Sequence, residues 1–326
     1  MTSIVLKHWK QLEKDLGIKS SDFLVREEKI RGRKLMAIRW YGGKFSHVEW
    51  IVPLLPRSHH YCEPFGGSAA ILLNKEPSPV ETYNDIDGDL VNFFRVLRDK
   101  PSELIEKLLL TPFSREEFIK AWEQRNSPAF SDVERARLFF IRAEQVRIGL
   151  AQRATSGRWA WCLRTSRRGM AGAVSRWISR IDALWLVADR LRMVQIEHDD
   201  AINVILRYDS PDTLFYVDPP YLHDSRTDTN AYDFEMQDED HVRLAEVLNT
   251  VQGKVALSGY WAPIMDRLYA NWTRIEAPPR TIHSSKAQRQ ESLWINYPLD
   301  LIDTNVIEIL KSKGFKFYEA KNKSIS

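Results

Sequence analysis

Leu214-Phe215-Tyr216-Val217-Asp218-Pro219-Pro220-Tyr221 changes character halfway along. Four apolar residues in a row, with no polar alternation, read as a short strand buried on both faces. Asp218 closes that run and two prolines follow. Proline fixes φ and lacks the N–H that sheet pairing uses, so the strand must stop there in a stiff corner. In an open α/β sheet, ligands bind beyond the carboxyl ends of the strands. Asp218, the Pro219 carbonyl and the Tyr221 ring are therefore expected at a ligand site. A carboxylate and a carbonyl are two acceptors, which match the two N–H donors of an exocyclic amino group. Held by both, the amino nitrogen loses conjugation with its ring and its lone pair is freed for attack. Tyr221 adds a flat face on which a base can stack. The plainer alternative is a rigid strand-end turn with a capping Asp.

Around this corner the sequence has α/β grammar. Strands are predicted at 59–63, 80–83, 193–196, 214–217, 254–258 and 292–295. Helices are predicted between them: from Ser68 to Leu73, through Leu90, Phe94 and Leu97, over 114–126 and 131–147, and through Val242, Ala245 and Leu248. Such alternation argues for a mainly parallel, doubly wound sheet. The stretch 113–191 interrupts it and reads as an insert.

Two loops fit the expected sheet edge. Glu63-Pro64-Phe65-Gly66-Gly67-Ser68 follows the first strand, where glycines let the backbone approach a ligand. It lacks the G-x-G-x-x-G pattern of dinucleotide folds. Asn84-Asp85-Ile86-Asp87 ends the second strand. An acid there can accept the hydroxyls of a ribose, the role expected of Asp85, while Asp85 or Asp87 could also simply cap the next helix.

Composition narrows the class. With 326 residues, 44% hydrophobic and 28% charged, the chain is long enough for an enzyme core and is no low-complexity protein. Two cysteines, Cys62 and Cys162, cannot build a disulfide framework. The N-terminal sequence has no signal-type apolar run, and no stretch nears the ~20 apolar residues of a membrane span. A cytoplasmic protein without membrane or metal partners is expected, acting as a monomer or weak dimer. Charge is unevenly placed. Between Arg135 and Arg180 there are eleven arginines, one acid and no lysine, so this block is +10 and the rest of a +3 chain is −7. Trp159, Trp161 and Trp177 lie among them. A basic block interleaved with aromatics is the footprint of a nucleic-acid contact, since arginine suits phosphates and base edges. The alternative is a solvated helical surface whose arginines pair with acids elsewhere.

Taken in order, Arg39-Trp40-Tyr41-Gly42-Gly43-Lys44, Glu63-Pro64-Phe65-Gly66-Gly67, Asn84-Asp85-Ile86-Asp87 and Asp218-Pro219-Pro220-Tyr221 resemble the motifs of the Dam-type (D12 class) DNA adenine-N6 methyltransferases. Ser258-Gly259-Tyr260 and Glu291 to Tyr297 are also similar to that family. The resemblance implies a Rossmann-like methyltransferase sheet over 36–112 and 192–300. It implies a mainly helical DNA-recognition domain inserted at 113–191; residues 1–35 read as an extension and 301–326 as a basic tail. It implies S-adenosylmethionine as cofactor, held by Trp40, Lys44, Phe65, Gly67, Asp85, Asp200 and Asp218. Asp218, Pro219, Pro220 and Tyr221 become the catalytic corner acting on adenine of double-stranded DNA, the base being flipped out to reach it. Arg39, Arg142, Arg147, Arg153, Arg158, Arg164, Arg167 and Arg168 are the expected DNA contacts. Two departures stand out. Arg39 replaces a usual lysine. Ala69 replaces a further glycine, and being nearly as small it is expected to suit a helix start. Cytosine N4, RNA or a protein glutamine as methyl acceptor, a non-catalytic DNA-binding module and a nicotinamide dehydrogenase are the competing readings.

Overall fold

A computed structural model of the protein describes residues 34–147, 156–222, 236–281 and 288–320. The extension before residue 34, Arg153 and the loop beginning at His223 lie outside the described residues.

The strands are β1 (His60–Glu63), β2 (Val80–Asn84), β3 (Ser166–Arg167), β4 (Met170–Ala171), β5 (Val194–Glu197), β6 (Thr213–Val217), β7 (Lys254–Tyr260), β8 (Thr273–Glu276), β9 (Arg280–Thr281), β10 (Gln288–Arg289), β11 (Glu291–Ile295) and β12 (Lys316–Tyr318). The helices are α1 (Val48–Ile51), α2 (Gly88–Asp99), α3 (Pro101–Leu109), α4 (Arg115–Glu123), α5 (Asp132–Gln145), α6 (Gly172–Leu191), α7 (Ala201–Tyr208), α8 (Asp238–Leu248), α9 (Pro263–Leu268) and α10 (Thr304–Ser312). Eight strands form one sheet in the order β12-β8-β11-β7-β6-β1-β2-β5. From β7 to β5 all neighbours are parallel, and β11, β8 and β12 extend the sheet with antiparallel pairings. The expected α/β sheet is therefore present. On β6, Leu214 and Tyr216 join one hydrophobic cluster while Phe215 and Val217 join the other. Both faces are covered, and this is why the strand reads as an unbroken apolar run. The chain passes to opposite sides of β1, to β2 and β6, which opens a crevice at their carboxyl ends.

The expectations for residues 68–73 are corrected. Residues 68–73 form turns and no helix. Ala69 sits at φ +54, and the Leu72 N–H donates to Glu63 Oε1 at 2.7 Å instead of to a helical carbonyl. A left-handed alanine costs about 1–2 kcal/mol, so the position suits glycine, and alanine is not the neutral replacement expected. On α8 the buried face is His241, Leu244, Ala245 and Leu248, with Val242 outside it at 38% exposure. The basic tail is folded as far as residue 320: β12 pairs with β8 at the sheet edge, and Phe315 packs on Trp50 at 5.3 Å.

The stretch 113–191 shares the main core. Ser114 and Ser131 cap α4 and α5 by accepting from Glu116 N and Glu134 N. Phe139 and Phe140 of α5 meet Phe93 of α2 at 5.7 and 5.8 Å. What leaves that core is a ribbon, β3–β4, turned through Arg168 and Gly169, both at positive φ. No helix among the described residues is long and apolar enough to cross a membrane. No group of three or more His, Cys, Asp or Glu among them could hold a metal ion.

Candidate active site

The carboxyl ends of β1, β2 and β6 and the amino end of β11 open on one cavity of about 710 Å³. The proline corner lines it as expected: Asp218, Pro219, Pro220 and Tyr221 all border the space. So do Trp40, Lys44, Phe65, Gly67 and Asp85, and Asp200 reaches it from the start of α7. Every cofactor position and every catalytic position expected from the sequence thus meets at one place.

Asn84 gathers the loops. Its side chain donates to the Pro64 carbonyl at 2.8 Å and to the Asp199 carbonyl at 3.0 Å, and accepts from Asp199 N at 2.9 Å. Its own carbonyl accepts from Gly66 N at 2.7 Å. One residue at the end of β2 therefore ties down the segments after β1 and β5. Gly67, at φ +49, lies where an added Cβ would stand 3.4 Å from the Trp40 ring. Asp85 accepts from Gly67 N at 2.8 Å and Asp87 N at 2.9 Å. Burial raises its carboxyl to about 6, against the pull of those N–H groups. Asp87 caps α2, accepting from Asp89 N and Leu90 N. Both acids border the cavity, and Asp87 is the one that caps the helix. Asp200 caps α7 through Ile202 N, while the neighbouring Asp199 pairs with Arg207 at 2.6 Å.

The centre of the site is a cluster of charge. Lys44 is 5% exposed; its Nζ lies 2.7 Å from Asp218 Oδ1 and 3.7 Å from Glu291 Oε1, and donates to the Gly42 carbonyl at 3.0 Å. The same ammonium stands 4.7 Å from the Tyr221 ring centre. The Tyr221 hydroxyl donates to Glu291 Oε1, and its ring meets Tyr260 edge-on at 4.7 Å. Burial raises the Asp218 carboxyl above its ordinary range, and Lys44 opposes that rise. Burial likewise lifts Glu291 to about 7, again opposed by Lys44 and then by Tyr221.

Two acids of this site were given no role by sequence reasoning, Glu291 and Glu63. Both sit in or at the end of apolar strands, and an acid in such a run is the signal that could have marked them. Glu63 is 2% exposed; its Oε1 accepts from Tyr61 Oη and Leu72 N, each at 2.7 Å. Burial lifts its carboxyl to about 8. An acid raised in the folded state holds its proton where the unfolded chain releases it. Stability from Glu63 is therefore present below about pH 4.3 and declines as pH rises to about 8. Glu63→Gln keeps an acceptor oxygen, and its melting temperature should fall less steeply with pH than that of the wild type across this window. Parallel curves in thermal melts from pH 5 to 9 would refute the assignment.

The arginines divide into two groups. Arg142 is 7% exposed and pairs with Asp89 at 2.8 Å, so the expected DNA contact is corrected to an internal one. Arg39 is corrected likewise: its N donates to Glu144 Oε1 at 2.7 Å and its Nη2 to the Val146 carbonyl at 2.9 Å. It pins the 144–146 backbone beside Trp40. Arg135, Arg137 and Arg180 also pair with acids. Arg147, Arg158, Arg164, Arg167 and Arg168 are exposed, the last three on or next to the β3–β4 ribbon. Arg147 lies over exposed Trp161, 5.7 Å from its centre.

A family model described as D12 class N6 adenine-specific DNA methyltransferase matches residues 40–290. Over 294 residues the chain is 26% identical to Type II methyltransferase M1.LlaDCHI of Lactococcus lactis subsp. cremoris, covering 84% of this chain and 99% of that protein. Two further similarities are local. The chain is 38% identical over 72 residues to a DNA adenine methylase of Vibrio cholerae serotype O1, covering 22% of this chain and 25% of that protein. It is 28% identical over 106 residues to the DNA N-6-adenine-methyltransferase of Escherichia phage P1, covering 32% of this chain and 14% of that protein.

Proposed function

Because the chain belongs to the D12 class N6 adenine-specific DNA methyltransferase family, we propose that its cavity takes S-adenosylmethionine together with an adenine swung out of duplex DNA. The observation that carries this reading is the meeting of Asp218, Pro219 and Tyr221 with Lys44, Gly67 and Asp85 around one space of about 710 Å³. That volume lies within the ~300–1,000 Å³ of small-molecule sites. The acids around it suit a cationic ligand. Asp218 Oδ1 is buried with the Lys44 ammonium 2.7 Å away, and the carboxylate borders the cavity as an acceptor for a ligand N–H. When bound, the cofactor supplies an electrophilic sulfonium methyl group.

The chain's residues do the rest. Trp40, Phe65 and Gly67 form walls for the cofactor, Asp85 accepts its ribose hydroxyls, and Asp200 lies toward its base. Asp218 and the Pro219 carbonyl accept hydrogen bonds from the two N–H groups of the adenine amino group and turn its lone pair toward the methyl donor. Pro220 keeps the corner rigid and Tyr221 stacks on the purine. Much of the acceleration comes from holding the two reacting atoms in line. Asp218 is also the acceptor at hand for the proton the nitrogen sheds, and its raised proton affinity suits that task. Flipping the base costs a few kcal/mol. Contacts from the exposed arginines offset that cost, and a two-stranded ribbon fits a major groove. Acting on chromosomal or phage DNA puts the protein in the bacterial cytoplasm.

Incubation with methyl-labelled S-adenosylmethionine and duplex DNA, followed by digestion, should return the label as N6-methyladenine. Label in N4-methylcytosine, RNA or protein would defeat the reading. Alanine at Arg164, Arg167 and Arg168 together should weaken DNA binding and flatten its dependence on salt, by about 0.9 in the log–log slope per lost phosphate contact. Cofactor affinity should not change. An unaltered salt slope would remove the ribbon from the DNA interface.

A further inference from the structure

We propose that Glu291 is a positioning residue of the methyl-transfer site, giving the Lys44 ammonium a second seat and anchoring the Tyr221 ring, so that Asp218 is free for the amino group of the target. The inference rests on the reading of the cavity as an adenine-N6 transfer site.

Lys44 Nζ has two carboxylates in reach, Asp218 at 2.7 Å and Glu291 at 3.7 Å. The ammonium sits closer to Asp218, on the oxygen that an incoming amino group needs. A cation there weakens the acceptor. It also opposes the positive charge that grows on the nitrogen as the methyl group arrives. Removing Lys44 from Asp218 into an apolar wall would strand a buried charge, which is strongly unfavourable. Glu291 avoids this, because a shift of roughly an ångström exchanges one carboxylate for the other within the reach of a flexible four-carbon stem.

The second half of the role is geometric. Glu291 Oε1 accepts the Tyr221 hydroxyl, and Glu291 faces Tyr260 across the β11–β7 ladder. Tyr260 in turn closes edge-on against the Tyr221 ring. Tyr221 is therefore held at its hydroxyl and at its edge by two neighbouring strands. Glu291 is 6% exposed and stands at the first position of β11, so its own place is set by the ladder.

Two variants of the full-length protein test this. Glu291→Gln keeps an acceptor for Tyr221 but removes the negative charge, and Glu291→Asp keeps the charge. For Glu291→Gln we expect kcat on duplex DNA to fall by about tenfold or more. Its calorimetric affinity for S-adenosylmethionine should stay within about threefold of wild type, with the melting temperature little changed. Glu291→Asp should recover most of kcat. The inference is overturned if Glu291→Gln turns over like wild type, if it loses cofactor affinity in step with kcat, or if Glu291→Asp is as slow as Glu291→Gln. Should the Gln variant not fold, a folded Glu291→Asp protein already about tenfold slow would overturn it. A wild-type protein that methylates no adenine would overturn the underlying reading and this inference with it. Adenine methylation by the wild type, with Glu291→Gln unaffected, would overturn the role of Glu291 alone.

Discussion

Asp218→Ala is expected to lower turnover by about 10³-fold, the scale seen when a preorganised polar partner of the reacting atoms is removed. The fold should survive. Burial raises the Asp218 carboxyl, which means that its charge is held at a cost to stability. Lys44 would still have as neighbours Glu291 and the Gly42 carbonyl, which lie 3.7 Å and 3.0 Å from it in the wild type. Melting temperature and turnover should therefore separate, with a near-normal melt and an inactive protein. Labelled methyl transfer to DNA, measured beside a thermal melt, checks both. Turnover within about tenfold of wild type would show that Asp218 does not hold the amino group.

Gly66→Ala is expected to act in the opposite way, through the fold. A Cβ on Gly66 would lie 2.2 Å and 2.5 Å from two carbons of the Tyr83 ring and 2.8 Å from the Asn84 carbonyl oxygen. Tyr83 is fully buried, and its hydroxyl donates to the Gly67 carbonyl at 2.8 Å, so the ring cannot move aside without releasing the loop. The Asn84 carbonyl is backbone and accepts from Gly66 N itself. Overpacking of this kind costs about 1–3 kcal/mol, occasionally more. Because the displaced segment lines the cavity proposed for the cofactor, affinity for S-adenosylmethionine should fall together with the melting temperature. A Gly66→Ala protein that melts and binds like wild type would mean that the β1 loop is looser than this packing implies.

Much of the site was legible because it is written in short local signals. The proline corner at 218–221 is one: two adjacent residues without N–H groups can only end a strand. The glycines at 66–67 are another. Neighbouring Ala69 shows where such reading stops, since its left-handed φ is imposed by Glu63 capturing the Leu72 N–H and by the tight turn that follows. The arginine block is a second case. Counting charges between 135 and 180 located a basic segment, yet Arg142 and Arg180 of that segment pair with Asp89 and Glu144, so charge count did not equal charge available to DNA. Glu63 and Glu291 were passed over because an acid in an apolar strand acquires meaning only from what surrounds it.

The sequence by itself determined the strand–helix alternation and the stiff corner after β6, because dihedral limits and burial periodicity act over a few neighbouring residues; the further cofactor positions it offered came from the resemblance of its motifs to a family. Tertiary structure decided which charges meet. Tyr221 and Glu291 are 70 residues apart in the chain, and Arg39 and Glu144 are 105 apart. Sheet order sets those distances, and burial then sets how strongly each group holds its proton or its partner.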